Sequence, residues 1–289
     1  MSTKRSADVE LAVDVRCKLG ESPIWIPELQ QLIWVDIRNG DFYKWVRGRD
    51  DVERTFVGHS VSAVAPRSAG GYVLATRSGF AMLDDNGAFD MIAEVEADNS
   101  SNRMNDGKCD VRGRFWAGTM SEQSTPGVGS LYTLNLDRSV TKRLAGVTIS
   151  NGIDWSPDGK TMYYVDSLSH GLDAFDYNEE RGELGGRQRV IDVEPSAGLA
   201  DGITVDEEGF IWVALHSGGA VHRYSPEGIL DLRVELPVPL VTSCTFGGPN
   251  LSELYITTAV DEDNVAPLAG AVFRYQARVA GLPCRRYGN

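Results

Sequence analysis

Short apolar segments recur along the chain at intervals of roughly 40 to 50 residues, and several directly follow a tight-turn signal. The turns Asp110–Gly113, Ser156–Gly159 and Asp206–Gly209 each place Asp, Pro or Glu before Gly, as tight turns require. The segments are rich in β-branched and aromatic residues, which is typical of buried strands. The six segments are Gln31–Ile37, Gly70–Arg77, Gly113–Met120, Gly159–Ser167, Gly209–Ser217 and Ser252–Val260.

A second kind of segment follows these strands and alternates small or polar residues with apolar ones, which predicts half-buried strands. Examples are Gly129–Leu136, His170–Asn178, Gly219–Gly228 and Gly270–Ala277. A further turn, Ser225–Gly228, leads into an outer strand over Ile229–Pro237. Four strands in each of six repeats predict an all-β fold, a six-bladed β-propeller forming one domain over residues 1–289.

Such a ring must close, and the N-terminal segment Asp8–Val15 is the natural strand to pair with the last blade. An open β-solenoid is the rival architecture, but each repeat here is too long for it. No linker, low-complexity tract or long amphipathic helix interrupts the pattern.

The charge balance narrows the classes of partner. The formal net charge is -13, and an acidic surface repels phosphate backbones, so no nucleic-acid partner is expected. The excess of carboxylates serves solubility and can also attract a cation.

The lack of a recognisable targeting signal and the pattern of cysteines favour a cytoplasmic protein. The segment after Met1 has no apolar region typical of a signal peptide, and no stretch approaches the roughly 18 apolar residues of a membrane span. No membrane partner is therefore expected. The four cysteines are scattered without a C-x-x-C pair, which indicates thiols in a reducing compartment.

Polar residues recur at one position of the repeat, just before each strong strand segment. Asn105–Lys108, Ser150–Ile153 and Ala200–Ile203 each contain Asp or Asn before Gly. Glu21–Trp25 stands at this place in the first repeat, Ser60–Ser62 in the second and Thr242–Cys244 in the last. The first strand of every blade lines the central channel, so these positions converge on one ring. The ring collects Glu21, Asp106 or Asn105, Asn151 and Asp201.

These side chains supply hard oxygen ligands with net negative charge, which suit calcium, magnesium or manganese, and also zinc. The alternative is that Asn-Gly and Asp-Gly mark hairpin turns, their commonest use. However, each blade already has its own turn a few residues later, and a second turn would leave almost no strand. The repeat symmetry therefore favours a metal site.

At these residues the sequence resembles the senescence marker protein, regucalcin and gluconolactonase family, over nearly the whole chain. It looks more like the sugar lactonases of that family than like its phosphotriesterase-type relatives. The segments that carry the resemblance are Leu19–Trp25, Asn102–Asp110, Phe115–Met120, Ile149–Ser167, Phe175–Asn178, Leu199–Ala214 and Thr242–Asn250.

The resemblance implies one divalent metal ion, which could be calcium, zinc, manganese, magnesium or iron(II), held by Glu21, Asn151 and Asp201. It also implies that Asp201 acts as the general base, and that Arg103 and Asn105 contact the substrate.

One departure concerns the residues after Gly-Thr-Met, where similar proteins carry two acidic residues and the second faces the substrate. Here the stretch is Ser121, Glu122 and Gln123, so the resemblance places Glu122 and the neutral Gln123 at the substrate. An amide can still form a hydrogen bond with a sugar hydroxyl.

The predicted function is hydrolysis of a small-molecule sugar lactone to the aldonic acid, as in carbohydrate metabolism by gluconolactonases. A non-catalytic calcium-binding regulator is the alternative, and a protein-interaction propeller is a third, although a scaffold needs no acidic channel. The sequence lacks G-x-S-x-G, H-E-x-x-H and P-loop patterns. Of its four histidines, His216 and His222 fall in blade strands or turns and are interpreted as structural.

Overall fold

The computed structural model describes residues 4–6, 9–261 and 266–288, which form six sheets built almost entirely from antiparallel strands. Two short strands come first, β1 (Lys4–Ser6) and β2 (Val9–Val13). Blade 1 contains β3 (Gly20–Ile26), β4 (Gln31–Asp36), β5 (Asp41–Val46) and β6 (Val52–Phe56). Blade 2 contains β7 (Val61–Pro66), β8 (Tyr72–Thr76), β9 (Gly79–Leu83) and β10 (Phe89–Glu94).

Blade 3 contains β11 (Asn102–Cys109), β12 (Phe115–Ser121), β13 (Gly129–Leu134) and β14 (Val140–Val147). Blade 4 contains β15 (Ser150–Trp155), β16 (Thr161–Asp166), β17 (Gly171–Asn178) and β18 (Glu183–Asp192). Blade 5 contains β19 (Leu199–Val205), β20 (Ile211–His216), β21 (Ala220–Tyr224) and β22 (Leu230–Glu235). Blade 6 contains β23 (Val241–Gly247), β24 (Glu253–Thr258) and β25 (Val272–Gln276). Short 3₁₀ turns occur at Pro27–Leu29, Ser167–Ser169 and Pro195–Ala197.

The first strands of the blades form the inner ring. Each of β3, β7, β11, β15, β19 and β23 contacts the first strand of the next blade, and β23 contacts β3 to complete the circle. The predicted six-bladed propeller is therefore confirmed. Because equivalent positions of these strands face one channel, the polar residues of the repeat are brought together.

The two chain ends close the ring, as predicted. Strand β2 pairs with β25 in antiparallel register, with Val9 opposite Tyr275, so blade 6 has four strands from both ends of the chain. The sequence did not predict that β1 adds a fifth strand to blade 5, parallel to β22.

Large aromatic side chains fill the spaces between blades. Trp25 of blade 1 stacks on Tyr255 of blade 6, with ring centroids 5.2 Å apart. Trp116 of blade 3 meets Trp155 of blade 4 edge to face at 6.0 Å. All four rings are almost fully buried. Such pairs add specific geometry to the burial of apolar area, so neighbouring blades are fixed against one another.

The segment after β25 runs across one end of the channel. Leu282, Cys284 and Arg285 line a small cavity there, next to Lys108 and Asp154 of the inner strands. Beyond it, backbone bonds join this segment to blades 2 and 3. A second cavity, lined by Glu21 and Asp201, opens at the opposite end of the channel.

The four cysteines are free, and Cys17, Cys109 and Cys244 are buried. No helix in the described part of the chain has the length and apolar character needed to span a membrane.

Candidate metal and substrate site

Every first strand breaks its pairing with the second strand at the same place in the blade. In blades 3, 4 and 5 the Asn-Gly and Asp-Gly pairs lie inside strands β11, β15 and β19, so they are not hairpin turns. A β-bulge changes the direction in which the side chain at that position points. The breaks lie between Glu21 and Ile24, Val61 and Ala63, Met104 and Gly107, Ser150 and Ile153, Ala200 and Ile203, and Val241 and Ser243.

The glycines at these bulges allow the inner strands to approach one another. A Cβ atom on Gly152 would lie 2.5 Å from the backbone oxygen of Asp201, and one on Gly202 would lie 2.1 Å from Oγ of Ser243. Real Cβ atoms do not approach so closely. Glycine after Asn or Asp therefore serves close strand packing, while the residue before it points a polar side chain into the channel.

The channel opens into a cavity of about 160 Å³ that contains the three predicted metal ligands and two of the predicted substrate-binding residues. Apolar side chains of Leu19, Met120, Ile149 and Leu199 form much of the remaining wall. The predicted residues that line it are Glu21, Arg103, Asn105, Asn151 and Asp201.

Burial and mutual repulsion perturb the carboxylates of this site. Burial, followed by the charges of Asp201 and Asp106, raises the pKa of Glu21 well above its usual value. Burial and the charge of Asp106 likewise raise the pKa of Asp201, although Arg103 opposes the shift. Burial raises the pKa of Asp106 itself to about 6. A bound cation would relieve this repulsion.

The donor atoms fit a hard divalent cation. Oδ1 of Asp201 is buried and has no hydrogen-bond partner among the described residues. Oε2 of Glu21 accepts a hydrogen bond from the backbone N–H of Ser22 at 3.0 Å. Within the same residues, no three His, Cys, Asp or Glu side chains assemble into a metal-binding group. Asn151, the third predicted ligand, lines the same cavity, and its amide oxygen is a donor type that hard divalent cations accept.

A chain of hydrogen bonds connects the predicted substrate-binding residues to the predicted metal ligand Asn151. Nη1 of Arg103 donates to Oδ1 of Asn105 at 2.6 Å, and Nδ2 of Asn105 donates to Oδ1 of Asn151 at 2.8 Å. Nδ2 of Asn151 donates to Oγ of Ser167 at 2.8 Å, which donates to the carbonyl of Ala200 at 2.6 Å. Together these bonds fix the orientation of both amides.

Glu122 and Gln123, the two substrate-binding residues predicted after Gly-Thr-Met, lie outside the cavity wall. Glu122 places Oε2 3.8 Å from Nε of Arg103 and also pairs with Arg77. Gln123 is exposed, and its Oε1 accepts a hydrogen bond from Oγ of Ser121 at 3.2 Å. Neither residue belongs to the cavity wall, and Glu122 is the one that reaches a residue of the wall.

His216 is the residue of the cavity that sequence reasoning missed. It ends β20 opposite Leu199 and lines the cavity, and burial lowers the pKa of its imidazole. The available signal was positional, because the last residue of the second strand is polar in blades 1 and 4 as well, where it is Asp36 and Asp166. His222, in contrast, is buried, and its Nδ1 shares a hydrogen bond of 2.9 Å with the hydroxyl of Tyr224.

These features define a six-bladed propeller with an acidic, oxygen-lined site in its channel. The family model described as SMP-30/Gluconolactonase/LRE-like region matches residues 19–260, and the chain belongs to this family. The chain is similar to regucalcin of Gallus gallus, with 42% identity over 291 residues, covering 96% of this chain and 97% of the relative.

Two solved structures show the same architecture over their full length. The luciferin-regenerating enzyme superposes with a TM-score of 0.91 at 32% identity, covering 97% of this chain and 99% of its own. A calcium-binding protein, regucalcin, from Agrobacterium tumefaciens superposes with a TM-score of 0.94 at 30% identity, covering 100% of both chains.

Proposed function

We propose that the protein is a metal-dependent hydrolase that opens a sugar lactone to the aldonic acid. The observation that carries the proposal is the buried Oδ1 of Asp201, which has no hydrogen-bond partner among the described residues. Asp201 lines one cavity with Glu21, Asn151, Arg103 and Asn105. Membership of a family that includes gluconolactonases supports the same reaction.

Glu21, Asn151 and Asp201 would hold one divalent ion through two carboxylates and one amide oxygen. Calcium, magnesium and manganese suit such donors, and zinc or iron(II) can also accept them. When bound, the cation supplies Lewis-acid polarisation of the lactone carbonyl.

Asp201 would move the proton in this reaction. Hydrolysis joins a water oxygen to the carbonyl carbon and breaks the bond from that carbon to the ring oxygen. The water loses a proton, and the released ring oxygen gains one. As a ligand, Asp201 would bind the cation through one carboxylate oxygen, and its other oxygen would accept the proton from water and return it to the ring oxygen.

Arg103 and Asn105 would position the substrate. Arg103 uses Nη1 for the carbonyl of Met104 and for Asn105, and its other nitrogens remain able to donate to sugar oxygens. The apolar wall formed by Met120, Ile149 and Leu199 limits water around the reacting bond.

A calcium-binding regulator without catalysis is the second candidate. It is favoured by the same oxygen donors and by the relative described as a calcium-binding protein. This role does not require Arg103 to line the cavity.

The two candidates are separated by assaying chelator-stripped protein against a panel of aldonolactones, with each metal added back in turn. The expected result is acid release that needs both protein and metal. Stripped protein that regains calcium binding but hydrolyses none of the lactones would contradict the lactonase and favour the regulator. The Asp90→Asn variant, which alters an exposed carboxylate on β10, is the matched control for handling.

A further inference from the structure

The turns that follow the second strands surround the open mouth of the cavity. In blades 1 to 4, each turn is tied by a backbone bond to the chain at the start of the first strand of its own blade. In blades 1 and 4 the accepting residues, Leu19 and Ile149, line the cavity themselves. The bonds run from Ile37 N to Leu19 O, Arg77 N to Ser60 O, Glu122 N to Ser101 O and Ser167 N to Ile149 O, at 2.9 to 3.1 Å. Side chains on these turns therefore stand at the mouth.

Three consecutive blades supply positive charge at this mouth. Arg38 and Arg77 lie on the turns of blades 1 and 2, and Arg103 projects from β11 of blade 3. The carboxylate of Glu122 is shared, because one oxygen pairs with Arg77 and the other lies 3.8 Å from Nε of Arg103. Two guanidinium groups therefore share one carboxylate, and Arg38 adds a third positive charge on the same side of the mouth, in a protein whose formal net charge is -13.

Arg38 has the fewest side-chain contacts of the three arginines. It is exposed, and among the described residues its side chain has no hydrogen bond or ion pair. It directly follows Ile37, whose backbone N–H donates to the carbonyl of Leu19 in the cavity wall, so the chain places Arg38 beside the mouth. After burial, the charge of Arg38 is a further cause of the lowered pKa of His216. In blade 5 the cavity is lined by His216, the last residue of β20, instead of an arginine.

We propose that this positive side of the mouth, formed by Arg38, Arg77 and Arg103, binds an anionic group carried by the substrate. The preferred lactone would then bear a carboxylate or a phosphate on the carbon outside its ring. This inference rests on the proposed lactonase function, because it assumes that the lactone carbonyl lies at Glu21, Asn151 and Asp201, deeper in the channel.

The chemistry of the groups supports an anion. Guanidinium groups bind carboxylate and phosphate oxygens through paired hydrogen bonds, and such charge-assisted bonds are about twice as strong as neutral ones. Glu122 marks the place where a carboxylate is already accepted between two arginines. The next residue, Gln123, adds no negative charge that would repel a second anion.

The test compares three lactones with the metal-loaded protein, namely D-glucono-δ-lactone, its 6-phosphate and D-glucarolactone. We expect kcat/KM for at least one anionic lactone to exceed that for the neutral lactone by about tenfold or more at low salt, and the advantage to shrink as salt screens the arginines. The two anionic substrates distinguish phosphate from carboxylate. A wild-type protein that prefers the neutral lactone would overturn the inference.

The Arg38→Glu variant reverses one charge at the mouth without altering the cavity wall. It should reduce the ratio of anionic to neutral kcat/KM by about tenfold or more. Arg181→Glu makes the same charge change on an exposed side chain between β17 and β18 and should keep the wild-type ratio. Equal ratios in both variants would contradict the role of Arg38.

Failure of the lactonase proposal is recognised separately, since none of the three lactones would then be hydrolysed. Calorimetry on the calcium-loaded protein still tests the anion site in that case, with gluconate, glucarate and 6-phosphogluconate as ligands. Tighter binding of glucarate or 6-phosphogluconate than of gluconate, lost in Arg38→Glu but not in Arg181→Glu, supports the anion site. Equal affinity for all three ligands overturns it.

Discussion

Nδ2 of Asn105 donates a hydrogen bond to Oδ1 of Asn151 at 2.8 Å, across the boundary between blades 3 and 4. The same Nδ2 also donates to the backbone carbonyl of Ser150 at 2.8 Å. The orientation of Asn151 is therefore set by a residue that the sequence assigns to substrate binding. An oxygen with two lone pairs can accept this bond and still face a cation.

The contribution of each ligand should follow its charge. We expect Glu21→Gln to weaken calcium affinity more than Asn151→Ala does, because it removes a formal negative charge beside a divalent ion. Calorimetric titration of chelator-stripped variants measures both constants. The reverse order would count against Glu21 as a direct ligand.

Arg103 should affect substrate use far more than metal binding. Arg103→Ala is expected to lower kcat/KM for hydroxyl-rich sugar lactones by up to about a hundredfold, since unpaired sugar hydroxyls lose a charged donor. Calcium affinity should change little. Kinetics on a hydroxylated lactone and an unsubstituted lactone, run side by side, check the claim. An equal loss on both substrates would mean that Arg103 does not recognise hydroxyl groups.

The buried carboxylates should make the metal-free protein less stable as the pH rises. The pKa of Asp106 is raised to about 6 in the folded state, so its stabilising contribution is complete below its ordinary value of 3.8. That contribution is lost as the pH rises through about 6. The pKa values of Glu21 and Asp201 are raised as well, which extends the loss in the same direction.

Asp106→Asn should therefore reduce the loss of stability between about pH 4 and pH 7 by about 2 kcal/mol in the presence of a chelator. Urea unfolding at several pH values measures this difference. His222, whose pKa is lowered to about 4, has the opposite dependence, but it is present in both proteins and cancels. Asp90→Asn is the control and should match wild type. If the free energy of unfolding of Asp106→Asn also depends on pH as that of wild type does, the pKa of Asp106 is not raised in the folded state.

Close packing of the inner strands predicts a strong effect at Gly152. The Gly152→Ala variant would place a Cβ atom 2.5 Å from the backbone oxygen of Asp201, where only the backbone can yield. We expect it to lower the free energy of unfolding by about 1 to 3 kcal/mol and to weaken metal binding.

Gly186→Ala is the comparison for that variant, because its nearest neighbour is the movable carboxylate of Asp176 at 3.1 Å. Its cost should be below about 1 kcal/mol. Thermal and denaturant unfolding of the two variants decide the point. A Gly152→Ala protein as stable as Gly186→Ala would show that the inner strands can move apart.

Much of this architecture could be predicted because it depends on local pattern and symmetry. The second strands, such as the predicted Gln31–Ile37 and the observed β4, have six matching copies, so one correct interpretation applies to the whole ring. The pairing of β2 with β25 followed from the need to close that ring. The cavity around Asp201 followed from equivalent positions converging on one axis.

Other features depend on contacts that no repeat pattern encodes. Strand β1 has three residues, too few for any periodicity, and it is held by parallel pairing with β22. His216 reaches the cavity because of where β20 ends, and its position at the end of a second strand was the one signal for this. Adjacent residues Glu122 and Gln123 differ in contacts because the turn after β12 points their side chains in different directions.

Asp201 is proposed to be both a metal ligand and the proton acceptor in lactone hydrolysis. The most direct measurement is kcat/KM of Asp201→Asn for a sugar lactone that the wild type hydrolyses, at a metal concentration that calorimetry shows to be saturating. We expect kcat/KM to fall by about a thousandfold or more, because a general base contributes on this scale. The melting temperature of the metal-free protein should be maintained or raised, because the substitution removes a buried negative charge that is repelled by its neighbours. Near wild-type turnover by a folded, metal-saturated Asp201→Asn protein would show that Asp201 is not the proton acceptor.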